Sequence, residues 1–263
     1  MCSIRIRCVA FLCLAALAVT GCAMRRTAGP VGMELPAIGD NERIISYSDG
    51  DKIAYTLSYD CDNRIPRWVA YDLTGDELRG PAKRNGKSFR PDGNAGVPQA
   101  DNQDYRNSGW TRGHIAPAGD FKWSDKAMDA TFYFTNCCPQ TEYFNGVSWE
   151  GLESRVRDWA EEFGCIYVVS GPIIGDYENG VLGTNRITIP DAFFKALLVR
   201  SGSSYEAIGF VMHNISDVQP YTSCYVDVNG LEEITGIDFF PMLDDSVEEE
   251  IEMNVDLRFW GIE

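Results

Sequence analysis

The sequence predicts an α+β domain with a mainly antiparallel central sheet flanked by helices, and three observations lead there. From Arg43 to Thr74, apolar and polar residues alternate around an Asp49–Gly50 turn, as paired antiparallel strands require. Trp149, Leu152, Val156, Trp159, Ala160 and Phe163 recur at helical spacing and form one apolar stripe. Strands and helices then succeed one another without a regular β-α-β alternation, which argues against a parallel doubly wound sheet.

The elements can be justified in chain order. Arg5 and Arg7 precede the apolar run Val9–Val19, which is too short to span a bilayer and suits the core of an export signal. It ends in Val-Thr-Gly-Cys at 19–22, which resembles the cleavage and lipidation box of bacterial lipoproteins. That resemblance implies a signal peptide over 1–21, a diacylated Cys22 and stable attachment to a membrane. Residues 22–40 carry Pro and Gly without hydrophobic periodicity and read as a tether; 41–263 form one domain with room for a proper core. A Gly/Asn/Pro/Asp-rich loop runs to residue 108. Thr131–Asn136 is β-branched and aromatic, so it predicts a strand. The apolar stripe predicts a helix from about 146 to 163, closed by Gly164, with Asn145 just outside its start. Segments 165–174 and 205–214 read as buried strands, and 227–238 as a short helix. The acid-rich run 243–252 reads as a solvated helical face.

Charge and cysteine content bound the function. The chain carries 23 Lys+Arg against 39 Asp+Glu, a formal charge of −16, and loss of the leader would make it more acidic. Such a balance disfavours polyanion binding on average, since phosphate contacts need positive charge. The segment 79–112 is the exception: Arg79, Lys83, Arg84, Lys87, Arg90, Arg106 and Arg112 face only Asp92, Asp101 and Asp104. Beyond Cys22 the domain holds Cys61, Cys137, Cys138, Cys165 and Cys224, an odd set, so at least one thiol is free. Their spacing fixes no pairing.

One of only two histidines lies in "TRGHIAPAGD", residues 111–120. Imidazole can serve as a general base near neutral pH, and guanidinium offers a planar fork for phosphate oxygens. On an extended segment Arg112 and His114 project to the same side, and Gly113 admits a close neighbour. The segment resembles the Arg-Gly-His signature of the DNA/RNA non-specific endonucleases, the ββα-metal nucleases. The likeness continues through Asn136, Pro139-Gln140, Asn145, Trp149 and Leu152-Glu153, then "YVVSGPI" from 167, "IPDAFFKALLV" from 189 and "EEITGIDFFPML" from 232.

The resemblance implies a ββα-metal motif and a role for each matching residue. His114 would deprotonate the attacking water, and Asn145, 31 residues on, would bind one Mg²⁺, with Mn²⁺ able to substitute. Arg112 would add charge in the transition state, Asn136 would organise the site, and Glu153 would hold metal-bound water. DNA and/or RNA would be cut to 5′-phosphate products. A further family arginine lies upstream, and Arg84, Lys87 and Arg90 are all candidates for it and for substrate binding. Thr111 departs from the family, which carries Asp there. That departure, with the acidic charge, supports the alternative of a lipid-anchored scaffold that binds a partner without cutting. His213 has no matching role. Serine catalysis lacks a G-x-S-x-G, and the histidines and cysteines form no zinc cluster.

Overall fold

The computed structural model describes residues 32–175 and 179–262. The leader, Cys22 and the tether up to residue 31 lie outside the described residues. No helix among the described residues is long and apolar enough to cross a membrane. Part of the expected tether is packed: Met33 is buried against the sheet, and the Ala37 amide donates to the Asp238 carbonyl.

The strands are β1 (Arg43–Asp49), β2 (Lys52–Asp60), β3 (Ile65–Thr74), β4 (Thr111–His114), β5 (Cys137–Gln140), β6 (Cys165–Ile173), β7 (Val181–Leu182), β8 (Ile187–Thr188), β9 (Ala192–Ser201), β10 (Ser204–His213) and β11 (Tyr225–Val226). The helices are α1 (Asn102–Tyr105), α2 (Asp125–Ala130), α3 (Glu150–Phe163), α4 (Val228–Thr235), α5 (Asp245–Glu252) and α6 (Leu257–Trp260). Seven strands form one sheet in the order β1-β2-β3-β6-β9-β10-β11, and every adjacent pair is antiparallel. The expected α+β class is therefore the observed one.

Both faces of this sheet are covered, which is why its central strands read as unbroken apolar runs. Side-chain alternation sends Val168 and Leu197 to one core, with Val156 and Trp159 of α3. Val169 and Leu198 go to the other, with Leu231 of α4 and Ile251 of α5. α3 ends where Gly164 adopts φ 88°, a conformation costly for any residue with a Cβ.

Three local expectations are corrected. Thr131–Asn136 is a loop ending in a 3-10 turn, held by a single bridge between Arg90 and Tyr133; its strand propensity reflects burial of Phe132 and Phe134. The helix start lies earlier than expected, because a π-helical turn, Phe144–Trp149, precedes α3 and takes in Asn145. The acidic face of α5 is not wholly solvated. Glu252 is only 7% exposed, and its carboxyl is pushed up to about 8 by burial and by Glu232, Glu248 and Asp238.

β4 and β5 form a separate two-stranded ladder, with Thr111 opposite Gln140, Arg112 opposite Pro139, Gly113 opposite Cys138 and His114 opposite Cys137. With α3 following, they make a β-β-α unit. The Gln140 amide lies directly over Gly113, where a Cβ would sit 1.9 Å from Oε1. Gln140 is fully buried and cannot swing out into water. Gly113→Ala is therefore expected to destabilise the protein by about 1–3 kcal/mol. The measurement is a urea titration, in which the midpoint should fall while the m-value stays constant.

Candidate active site

His114 closes β4 and is 8% exposed. Its ring packs edge-on to Phe132 at 4.8 Å between centroids and tilted over Phe89 at 4.5 Å. Nε2 is buried without a hydrogen-bond partner. Burial in this aromatic slot, reinforced by the Arg84 guanidinium, brings the imidazole pKa down to about 3. A neutral ring with an unoccupied nitrogen can accept a proton.

Asn136 clamps the chain that leaves His114. Its Nδ2 donates to the carbonyls of Ala116 and Thr131, each at 2.9 Å, and its Oδ1 accepts from the Ala116 amide at 2.8 Å. The amide is fully buried and fully used. Asn136 thus organises the His114 segment through the backbone.

Asn145 reaches the same hairpin from the π-helical turn. Its Nδ2 donates to Thr111 Oγ1 at 3.1 Å, while the Thr111 hydroxyl donates to the Gln140 carbonyl at 2.9 Å. Thr111, where the family carries Asp, therefore holds the amide nitrogen and leaves Oδ1 free to coordinate. π-Turns recur at functional sites because they re-aim side chains within a helix. Among the described residues no three His, Cys, Asp or Glu side chains converge closely enough to cage a metal. One free amide oxygen without a carboxylate cage fits a hydrated Mg²⁺, which retains most of its waters, and does not fit a protein-enclosed ion.

The basic stretch sorts itself into two groups. Arg79 pairs with Asp76 and Glu161, Lys87 with Asp125 and Asp129, and Arg90 with Asp129. Among the described residues, Lys83, Arg84, Arg106 and Arg112 find no carboxylate partner within salt-bridge distance. Arg84 is exposed, with its guanidinium 5.7 Å from the centre of the Phe132 ring that flanks His114. Of the three upstream candidates, Arg84 is the one beside the histidine. Arg112 is also exposed; it donates to Asn102 Oδ1 at 3.3 Å and lies over Tyr105.

Glu153 is half-buried on α3 and makes no direct hydrogen bond or ion pair. Beneath it lies a charge cluster that sequence reasoning missed. Asp120 is 1% exposed and accepts from Tyr71 Oη at 2.8 Å and from Arg157 Nη1 at 3.1 Å. Lys195 of β9 is fully buried, and its Nζ donates to Ser170 Oγ at 2.6 Å. The available signal was a lone lysine inside the apolar run "AFFKALLV". His213 is exposed at the end of β10, where its backbone pairs with the Gln219 side chain. Cys61, Cys137, Cys138 and Cys224 are free thiols, with Cys137 and Cys138 buried. Burial pushes the Cys137 thiol up to about 12.

Residues 44–246 match the family described as DNA/RNA non-specific endonuclease. The chain is 36% identical over 241 residues to mitochondrial nuclease EXOG of Danio rerio, covering 85% of this chain and 67% of that protein. It is 33% identical over 201 residues to human mitochondrial endonuclease G, covering 72% and 68%. Among solved structures, the EndoG/EndoGI complex aligns at TM-score 0.72 and 30% identity, covering 84% of this chain and 96% of the other. Against the vertebrate EXOG proteins the chain spans 56–67% of their length.

The position of Arg84 leads to a measurable expectation. By NMR the His114 imidazole of the metal-free protein should stay neutral until about pH 3. Arg84→Ala should raise that midpoint, because removing a nearby positive charge eases protonation, whereas Lys87→Ala should leave it in place. Because the unfolded imidazole titrates near 6.5, this group makes stability fall as pH drops from about 6.5 towards 3.

Proposed function

Because the chain belongs to the DNA/RNA non-specific endonuclease family, and so among nucleic-acid-hydrolysing enzymes, we propose that it is a Mg²⁺-dependent endonuclease cutting DNA and/or RNA phosphodiesters to 5′-phosphate products. The observation that carries this reading is the Asn145 amide, tied by its nitrogen to the strand that bears His114, with its oxygen free. Asn145 would hold the ion. When bound, a hydrated divalent ion supplies positive charge at the scissile phosphate and at the leaving 3′ oxygen. Mn²⁺ would substitute, since it accepts the same oxygen donors.

The remaining steps belong to the chain's own side chains. His114, kept neutral by its aromatic slot, takes the proton of the attacking water at Nε2. Arg84 and Arg112, unpaired with carboxylates, contact phosphate oxygens and meet the charge that develops on them. Lys87 and Arg90 are drawn towards Asp125 and Asp129 and contribute less. Glu153 presents its carboxylate to the water of the site. Lack of sequence preference follows if the grip is on phosphates and base edges go unread.

The leader supports a second proposal, that the protein is exported and held to a bacterial membrane by lipid on Cys22. Hydrolysis of nucleic acid outside the cytoplasm spares the cell's own.

Supercoiled plasmid and RNA incubated with the chain from residue 32 onward should be cut in Mg²⁺ or Mn²⁺ and left intact in EDTA. His114→Ala should lose at least ~10²-fold in rate, and Asn145→Ala should need far more metal. A folded wild-type protein that cuts neither substrate would leave only the scaffold alternative. For the anchor, cells given labelled palmitate should label the wild type and not Cys22→Ala. Label retained in that variant would exclude Cys22 as the site.

A further inference from the structure

Among the described residues, Lys195 is the one fully buried cation, and the proposed chemistry does not use it. It projects from β9 towards α3, on the same face as Phe193 and Leu197, and has no solvent exposure. Its Nζ donates to Ser170 Oγ on the neighbouring strand and lies 4.6 Å from the centre of the Trp149 ring. Neither contact supplies a negative charge, so a buried ammonium here needs a carboxylate nearby.

Two carboxylates are close enough to act on it electrostatically, Glu153 and Asp120. Asp120 already has a cation, Arg157, and a donor, Tyr71. Glu153 makes no direct hydrogen bond or ion pair. Two cations act on Glu153, Lys195 the more strongly and Arg157 the less, and Asp120 already engages Arg157. Helical spacing explains the meeting: Trp149, Glu153 and Arg157 stand four residues apart on one stripe of the chain entering α3. Lys195 touches the first of these residues and acts on the second. The same Trp149 ends the π-helical turn that carries Asn145.

We propose that Lys195 is a positioning residue for cleavage: from beneath α3 it supplies counter-charge that holds the Glu153 side chain at the site, and it steadies the Asn145 turn through Trp149. Burial pushes both groups towards their neutral forms and prevails, leaving the Glu153 carboxyl raised and the Lys195 ammonium lowered, while each limits that drift in the other. Arg157 pairs with Asp120 alongside, and Glu150 reaches the same guanidinium at 3.5 Å from the exposed side of α3. A leucine or methionine at 195 would leave Glu153 only Arg157 as counter-charge, and Asp120 already engages that guanidinium.

The proposal rests on the reading of Glu153 as a site residue, and a double-mutant cycle separates the two. Kinetics on a short defined duplex, and Mn²⁺ binding by calorimetry without nucleic acid, would be measured for Lys195→Met, Glu153→Gln and the double variant. Lys195→Met should lower kcat at least tenfold, leave KM within twofold and weaken Mn²⁺ binding at least threefold. In the Glu153→Gln background the same change should move each quantity less than twofold. Should Glu153→Gln cleave like wild type, the reading of Glu153 fails and takes this inference with it. An impaired Glu153→Gln beside an unimpaired Lys195→Met overturns the inference alone. Equal losses in both backgrounds also overturn it, because they would show a packing role. If Lys195→Met does not fold, Ser170→Ala takes its place. It should lower kcat about threefold in the otherwise wild-type protein and leave kcat unchanged in the Glu153→Gln background; an equal effect in both overturns the proposal.

Discussion

Four residues paired with four others govern this molecule: Thr111–His114 against Cys137–Gln140, a ladder that stands apart from the main sheet. The pairing fixes the side on which Arg112 and His114 emerge. It also presents the Thr111 hydroxyl to Asn145 and presses the Gln140 amide onto Gly113. A slip of one residue would turn each of these side chains to the opposite face. The surroundings serve to prevent that slip. Asn136 ties Ala116 to Thr131 across the chain leaving the histidine, and Phe89 and Phe132 hold the imidazole between them.

Much of this was legible in the sequence where periodicity and burial agree. The 149–163 stripe could be read because one face is apolar and the other is not, and the 43–74 strands because an Asp49–Gly50 turn divides them, although β3 is buried on both faces. Thr131–Asn136 misled because burial of Phe132 and Phe134 mimics strand composition in what is a loop packed behind the histidine. Asn145 could be matched to a motif, but no local signal announces a π-turn, whose extra residue depends on the packing of Phe144 and Trp149. Arg84, Lys87 and Arg90 were indistinguishable because the carboxylates that separate them, Asp125 and Asp129, lie about 40 residues downstream. Lys195 was hidden for a different reason: β9 reads as buried strand with or without it.

Net charge described the protein poorly and the site worse. The carboxylates near the basic segment act as a filter. They neutralise Arg79, Lys87 and Arg90 and leave Lys83, Arg84, Arg106 and Arg112 without partners among the described carboxylates. An acidic surface around a few uncompensated cations repels a polyanion everywhere except at those cations. The cluster of Asp120, Arg157, Lys195 and Glu153 extends the same logic inwards, since the buried Asp120 and Lys195 each lie among groups of opposite charge.

The adjacent thiols behind the histidine have a consequence of their own. Cys137 sits directly across the ladder from His114, and both it and Cys138 are enclosed with their thiols pushed strongly towards the protonated form. Oxidants and exchanging disulfides attack thiolates, and a thiol held protonated in an apolar enclosure offers them almost nothing to attack. The hairpin therefore owes its shape to no covalent crosslink, and it can form and persist in reducing or oxidising surroundings alike.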